Sequence, residues 1–186
     1  MTPHEQNAYE KALKLALASG LRCSFGPAFL AQSNRSKHRG WWALAAMGEM
    51  FIDKIPGIPS RRSLALLIPR AIAGGYVAHQ MMKEEGINDP MAGPMGAVAA
   101  AGAATVAPLV RGMLGSVLGL PDALVGLAED YLALKLGSGA VQMNWDEVNH
   151  ARHEAIAELK DALVPHPMIE PEPAQLQSVG FSAGSM

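Results

Sequence analysis

The chain has 186 residues, of which 49% are hydrophobic and only 17% are charged, whereas about 25% are charged in a typical soluble domain. It contains 19 glycines but few aromatic residues, so its apolar surface comes from small side chains that require close packing of the backbone. A net charge of −2 provides no basic surface for nucleic acid, and the single cysteine, Cys23, excludes a disulfide within the chain.

The first apolar segment, residues 12–34, contains two charges, Lys14 and Arg22. Turn-forming residues at 19–22 and 25–27 predict that it forms two short half-helices. Interrupted helices are typical of transporters, in which the half-helix ends face a substrate, and a plain loop between short helices is the alternative. Because acidic residues occupy the first ten positions where a basic region would be required, we predict no cleaved signal peptide.

A short basic loop follows at residues 34–39 and contains three Lys and Arg side chains. Loops rich in positive charge usually stay in the cytoplasm, so we predict a cytoplasmic location for this loop. Trp41 and Trp42 come directly after it. They fit a belt of aromatic side chains at a membrane interface, and a pair of core tryptophans is the alternative.

Two long stretches are almost free of charge. Residues 63–82 contain a single charge, Arg70, and residues 91–121 contain a single charge, Arg111. A hydrocarbon core about 30 Å thick requires about 20 mostly apolar residues of helix. Both stretches therefore have the length and the composition of membrane segments.

Small residues recur every four positions within residues 91–119, a spacing that lets two helix backbones approach closely in a membrane. Because the stretch is so rich in alanine, an accidental spacing is the alternative. The glycines that we predict to mediate helix packing are Gly74, Gly96, Gly112, Gly115 and Gly119.

A second interruption, at residues 118–122, combines glycine with proline. Asp122 is placed to cap the helix that follows it. That apolar segment, residues 123–143, carries the adjacent acids Glu129 and Asp130.

The C-terminal part has a different character. Apolar and charged side chains at helical spacing predict a peripheral amphipathic helix at residues 144–164, and the proline-rich residues 165–186 predict a disordered tail. The membrane domain is then residues 1–143. A weak metal-binding pattern lies on the amphipathic helix at Asp146, His150, His153 and Glu154. Because exposed helices often carry such residues by chance, we predict no bound metal.

Nine charged residues lie in or beside the apolar segments: Arg22, Glu49, Asp53, Lys54, Arg61, Arg70, Arg111, Glu129 and Asp130. Each charge inside a bilayer costs about 2.5–3.5 kcal/mol, so such residues usually pair or line a polar path. We predict that Arg70 or Arg111 lies within about 4 Å of a carboxylate of this set. Structural pairing and a path for an ion or solute both remain open.

Four motifs, in this order, resemble those of a known family. They are Gly20-Leu21-Arg22 with Gly26-Pro27-Ala28, Gly48-Glu49 with DKIPGIPSR at 53–61, RAIAG at 70–74, and GLPD through AED at 119–130. On these motifs the chain resembles the bacterial domain-of-unknown-function 4126 family of small predicted integral membrane proteins. The resemblance implies a protein of the bacterial inner membrane and carries no established activity. Cys23 and Phe25 depart from the residues expected there.

These observations predict an all-α integral membrane bundle with four or five short or broken segments rich in glycine and alanine, plus the C-terminal amphipathic helix. The predicted function is that of a transporter or channel for a small solute or ion, working through the charged network. The alternatives are a non-enzymatic scaffold that recruits a protein partner through residues 144–164, and a soluble helical protein. We predict a homo-oligomer in a lipid bilayer without a cofactor. Enzymatic activity is supported only by the paired carboxylates.

Overall fold

A computed structural model describes residues 1–52 and 64–163, and this part of the chain contains seven α-helices and no strand. The helices are α1 (Pro3–Leu21), α2 (Phe25–Ser33), α3 (Arg39–Ile52), α4 (Leu64–Glu84), α5 (Ala92–Leu118), α6 (Asp122–Ala140) and α7 (Trp145–Leu163). The prediction of an all-α fold is thus confirmed for the described residues. Asp53, Lys54 and Arg61, and the predicted tail at 165–186, lie outside them.

The first helix begins earlier and breaks later than its apolar pattern predicts. Thr2 caps α1, since its hydroxyl accepts from the backbone N–H of Glu5 at 3.2 Å while the Glu5 carboxylate accepts from the Thr2 N–H at 2.6 Å. Ser19 and Gly20 continue the helix and are buried in it. The break therefore lies at residues 22–24, directly before α2.

The second interruption is present where the sequence predicts it. Helix α5 ends at Leu118, Gly119 adopts a left-handed conformation with φ of 62°, and α6 begins at Asp122. The predicted capping role of Asp122 is wrong, because Pro121 occupies the cap position and no side chain caps α6. The Asp122 carboxylate instead binds Arg111.

The core is built around α1, which packs against α2, α4, α5 and α6. Helices α4 and α5 approach each other most closely where both lack side chains. A Cβ at Gly96 would lie 2.5 Å from the carbonyl oxygen of Gly74, and a Cβ at Gly74 would lie 2.8 Å from that of Gly96. Ala100 and Ala104 extend the buried row along α5. This contact requires small residues because the two backbones touch.

Polar contacts close one end of the bundle. The Tyr9 hydroxyl of α1 donates to Asp89, and Lys11 Nζ lies 2.7 Å from Glu85 Oε1 at the end of α4. The Asn34 side chain, after α2, donates to Glu84. The loops at 34–39 and 84–91 therefore lie at the same end of the molecule.

The amphipathic helix predicted at 144–164 is α7, and it packs on α3. Asn144 and Glu147 bind each other's backbone N–H groups and so stabilise its first turn. Arg39 Nη2 lies 3.2 Å from Glu154 Oε1, and Ala155 is fully buried against the bundle. Helix α7 is thus an integral part of the described fold.

Helix α5 is the one helix of the described residues that is long and apolar enough to cross a membrane. Only 11% of its apolar stretch is buried. Its second half carries exposed Val106, Leu109, Met113 and Val117. A core helix of a soluble protein would be mostly buried, whereas most of α5 is exposed.

Candidate functional site

A buried ion pair joins the end of α1 to α6. Arg22 follows the last residue of α1, and its Nε donates to Asp130 Oδ1 at 2.7 Å while its Nη2 donates to the same oxygen. The two residues are 1% and 2% exposed. Because an isolated buried charge is strongly destabilising, each of them requires the other.

Glu49 closes the break between α1 and α2 from a third helix, α3. Its Oε1 accepts from the Cys23 N–H at 2.8 Å, and its Oε2 accepts from the N–H and the hydroxyl of Ser24 at 2.9 and 2.5 Å. The N-terminus of a helix carries partial positive charge and favours an anion. Arg70 Nη2 lies 3.6 Å from Glu49 Oε1, so the carboxylate lies between α2 and a buried cation.

Arg111 connects α5 to both acids of α6 that face it. Its Nε and Nη2 bind Asp122 at 2.5 and 2.6 Å, and its Nη1 lies 3.6 Å from Glu129 Oε2. Such a two-point contact fixes the planar guanidinium in one orientation. These ion pairs therefore connect α5 to α6 across the turn at Gly119.

The predicted pairing of the two isolated arginines is confirmed, since Arg70 meets Glu49 and Arg111 meets Glu129 within 4 Å. The structure brings Arg22, Glu49, Arg70 and Asp130 together around the helix break. Asp122 is not among the nine charged residues that the sequence predicts for this network. The sequence does contain a signal for this ion pair, because Asp122 follows Arg111 by eleven residues across a turn with glycine and proline.

An open groove reaches this network. It has a volume of about 320 Å³ and lies between the end of α1, α5 and α6. Its walls are mostly apolar, with Leu21, Val106, Val110 and Val125, and its charged lining residues are Arg111 and Glu129. Behind it, Asp130 Oδ2 is buried without a hydrogen-bond partner among the described residues. An ion or polar solute in the groove would meet carboxylate and guanidinium groups together.

The glycines predicted to pack helices fall into two groups. Gly74 and Gly96 lie at the contact of α4 with α5. Gly112 and Gly115 lie on the exposed half of α5, where a Cβ at Gly112 would have no neighbour within 4 Å, and Gly119 is the left-handed cap of α5. Within one chain, only the small residues in the first half of α5 therefore contact another helix closely.

Among the residues of the weak metal-binding pattern on α7, Glu154 contacts Arg39 as well as His150. Glu154 Oε1 lies 3.2 Å from Arg39 and 3.7 Å from His150 Nδ1. Across residues 1–52 and 64–163, no group of three or more His, Cys, Asp and Glu side chains is arranged to hold a metal ion.

Comparison with known proteins adds no relative: no family model, no curated protein and no solved structure matches the chain. The resemblance to the domain-of-unknown-function 4126 family therefore stays a prediction from its motifs.

Proposed function

We propose that this protein is an integral membrane protein in which the outer surface of α4, α5 and α6 contacts lipid. The exposure of α5 carries this proposal. Its 27 residues correspond to about 40 Å of helix, enough for a hydrocarbon core about 30 Å thick. An apolar surface of this extent on a soluble monomer would be a binding surface or would cause aggregation.

The neighbouring helices continue the same surface. Ile68 and Ile72 are exposed on α4, and Leu124, Leu127 and Leu132 are exposed on α6. In this proposal α5 crosses the bilayer, while α1–α2, α3, α4 and α6 enter it as short or broken segments. The protein then belongs to the bacterial inner membrane, with the basic loop at 34–39 and the polar end of the bundle in the cytoplasm.

Within the membrane, the charged network provides a polar path for a small ion or solute. The support is the groove in which Arg111 and Glu129 line an otherwise apolar wall. The broken helix α1–α2 is similar to the interrupted helices of transporters, because Arg22 lies at the end of α1 and Glu49 binds the backbone N–H groups at the start of α2. In this structure the protein's own charges occupy both helix ends.

Flux measurements in reconstituted vesicles test this path. Purified protein in sealed vesicles is assayed for movement of protons, K⁺ and Cl⁻ against protein-free vesicles. We expect flux of at least one of these ions, lowered by Glu129→Gln and unchanged by Glu158→Gln on α7, outside the groove that Arg111 and Glu129 line. Vesicles as tight as the protein-free controls toward all three ions would contradict an ion path.

A scaffold role is the second candidate, and one surface favours it. Helices α3 and α7 form a groove of about 350 Å³ lined by Trp41, Leu44 and Leu159, with Lys37, Glu158 and Asp161 at its edges. An amphipathic segment of a protein partner would match this mixture of apolar and charged groups. The exposed small-residue face at Gly112 and Gly115 would accept a second copy of the chain in a homo-oligomer.

A further inference from the structure

Another cavity lies on the side of the bundle covered by α7, and neither Arg111 nor Glu129 lines it. It is a crevice of about 240 Å³ between α2, α3, α6 and α7. Its walls are mostly apolar, with Phe25, Phe29, Met47, Leu134 and Val148, and Arg152 is the charged residue that lines it. Cavities with such walls bind apolar groups.

The crevice adjoins a larger polar groove, of about 500 Å³, and the two share Gln32, Met143 and Ala151 as lining residues. Arg35, Arg39 and His150 line the polar part. The two acids of this groove have partners, since Glu154 binds Arg39 and Glu147 accepts from the backbone N–H of Asn144. Arg35 has no ion pair with any residue of the described part of the chain. The groove therefore presents an available cation next to an apolar crevice.

Gln32 lies where the crevice meets the polar groove, and its side-chain amide lacks a hydrogen-bond acceptor in the described part of the chain. Its Nε2 is buried and has no hydrogen-bond acceptor among the described residues. A buried donor without an acceptor is destabilising. An acceptor oxygen from a ligand at this junction would remove that cost.

We infer that this pair of cavities binds one phospholipid with an anionic headgroup. One acyl chain fills the crevice, an ester carbonyl oxygen accepts from Gln32, and the phosphate lies against Arg35. A fatty acid fits less well, because its carboxylate would end at Gln32 and leave the polar groove empty. A zwitterionic headgroup adds a positive charge beside Arg35.

Binding is measured on detergent-purified, delipidated protein by native mass spectrometry, so the result does not depend on the ion path or on membrane insertion. The probes are phosphatidylglycerol, phosphatidylcholine with the same acyl chains, and oleate. We expect one phosphatidylglycerol per chain, retained about tenfold better than phosphatidylcholine or oleate, a ratio that one charge-assisted hydrogen bond provides.

Two pairs of variants locate the site. Ala43→Phe fills the crevice and should abolish binding, whereas Ala45→Phe on the exposed side of α3 should not. Arg35→Gln should remove the preference for phosphatidylglycerol, whereas Lys37→Gln, in the same loop but outside the groove, should keep it. Equal retention of the two phospholipids, oleate retained as well as phosphatidylglycerol, or binding that survives both Ala43→Phe and Arg35→Gln would overturn the inference.

Discussion

At the scale of single residues, the buried charges are matched both to each other and to the ends of helices. Arg22 lies at the C-terminus of α1, where partial negative charge favours a cation, and Glu49 lies at the N-terminus of α2, where partial positive charge favours an anion. Asp130 and Arg70 then neutralise the two side chains. The break between α1 and α2 is thus stabilised by three other helices.

The Arg22–Asp130 pair allows a direct energetic test. Arg22→Met or Asp130→Leu alone leaves one buried charge and should destabilise the protein by about 3–5 kcal/mol, whereas the double variant should lose less than either single variant. Unfolding in detergent measures all three. Lys14→Ala removes an exposed pair on the same helix and should leave stability unchanged. Strictly additive losses would show that the two charges are not coupled.

The polar end of the bundle should respond to acid. Lys11, and then His4, hold the pKa of Glu85 below its usual range, and the Tyr9 hydroxyl does the same for the pKa of Asp89. Because both pKa values are lower in the folded protein than in the unfolded chain, these carboxylates stabilise the fold at neutral pH. The contribution is lost as the pH falls through the lowered values.

We therefore expect the thermal midpoint to fall from neutral pH down to about pH 3, and to fall less steeply in Glu85→Gln. The conservative variant keeps the size of the side chain, and thermal unfolding in detergent at a series of pH values provides the measurement. Identical pH profiles for the two proteins would mean that the Lys11–Glu85 contact contributes nothing to stability.

At the scale of helices, the contact of α4 with α5 depends on the absence of side chains. Gly96→Ala places a methyl group against the Gly74 carbonyl and should destabilise by about 1–3 kcal/mol. Gly102→Ala, at an exposed position of the same helix with no neighbour within 4 Å, should stabilise by about 0.5–1 kcal/mol through helix propensity alone. Thermal unfolding of both variants compares the two sites, and equal effects would contradict the packing described here.

The helices themselves were largely predictable, because local signals determine them. Gly119 and Pro121 mark the α5–α6 turn, and the apolar periodicity marks α7. The sequence predicts that the buried arginines pair with carboxylates, but it does not predict which carboxylate each of them binds. Arg22 and Asp130 are 108 residues apart, so nothing local selects one carboxylate over another. Asp122 shows the same limit, since its position fits a cap equally well and only the approach of Arg111 decides its role.

At the scale of the whole molecule, polar and apolar surfaces are separated. The contacts at Asp89, Glu85 and Glu84 close one end, whereas α5 and α6 extend from the other side of the bundle with exposed apolar side chains. In the proposed membrane location, a bilayer would cover the apolar surface and leave the polar end in water. This separation would suit a chain with a mean hydropathy of only +0.12 to a membrane.

Spin labels on α5 test that claim most directly. After Cys23→Ala, single cysteines are introduced at Val98, Leu109 and Val117, and at Lys37 as a water-exposed control, and are labelled in the cell membrane. We predict that the α5 labels collide readily with oxygen and poorly with a water-soluble nickel chelate, as lipid-facing labels do, while the Lys37 label shows the reverse. Nickel accessibility on α5 equal to that at Lys37 would contradict a membrane location for this surface.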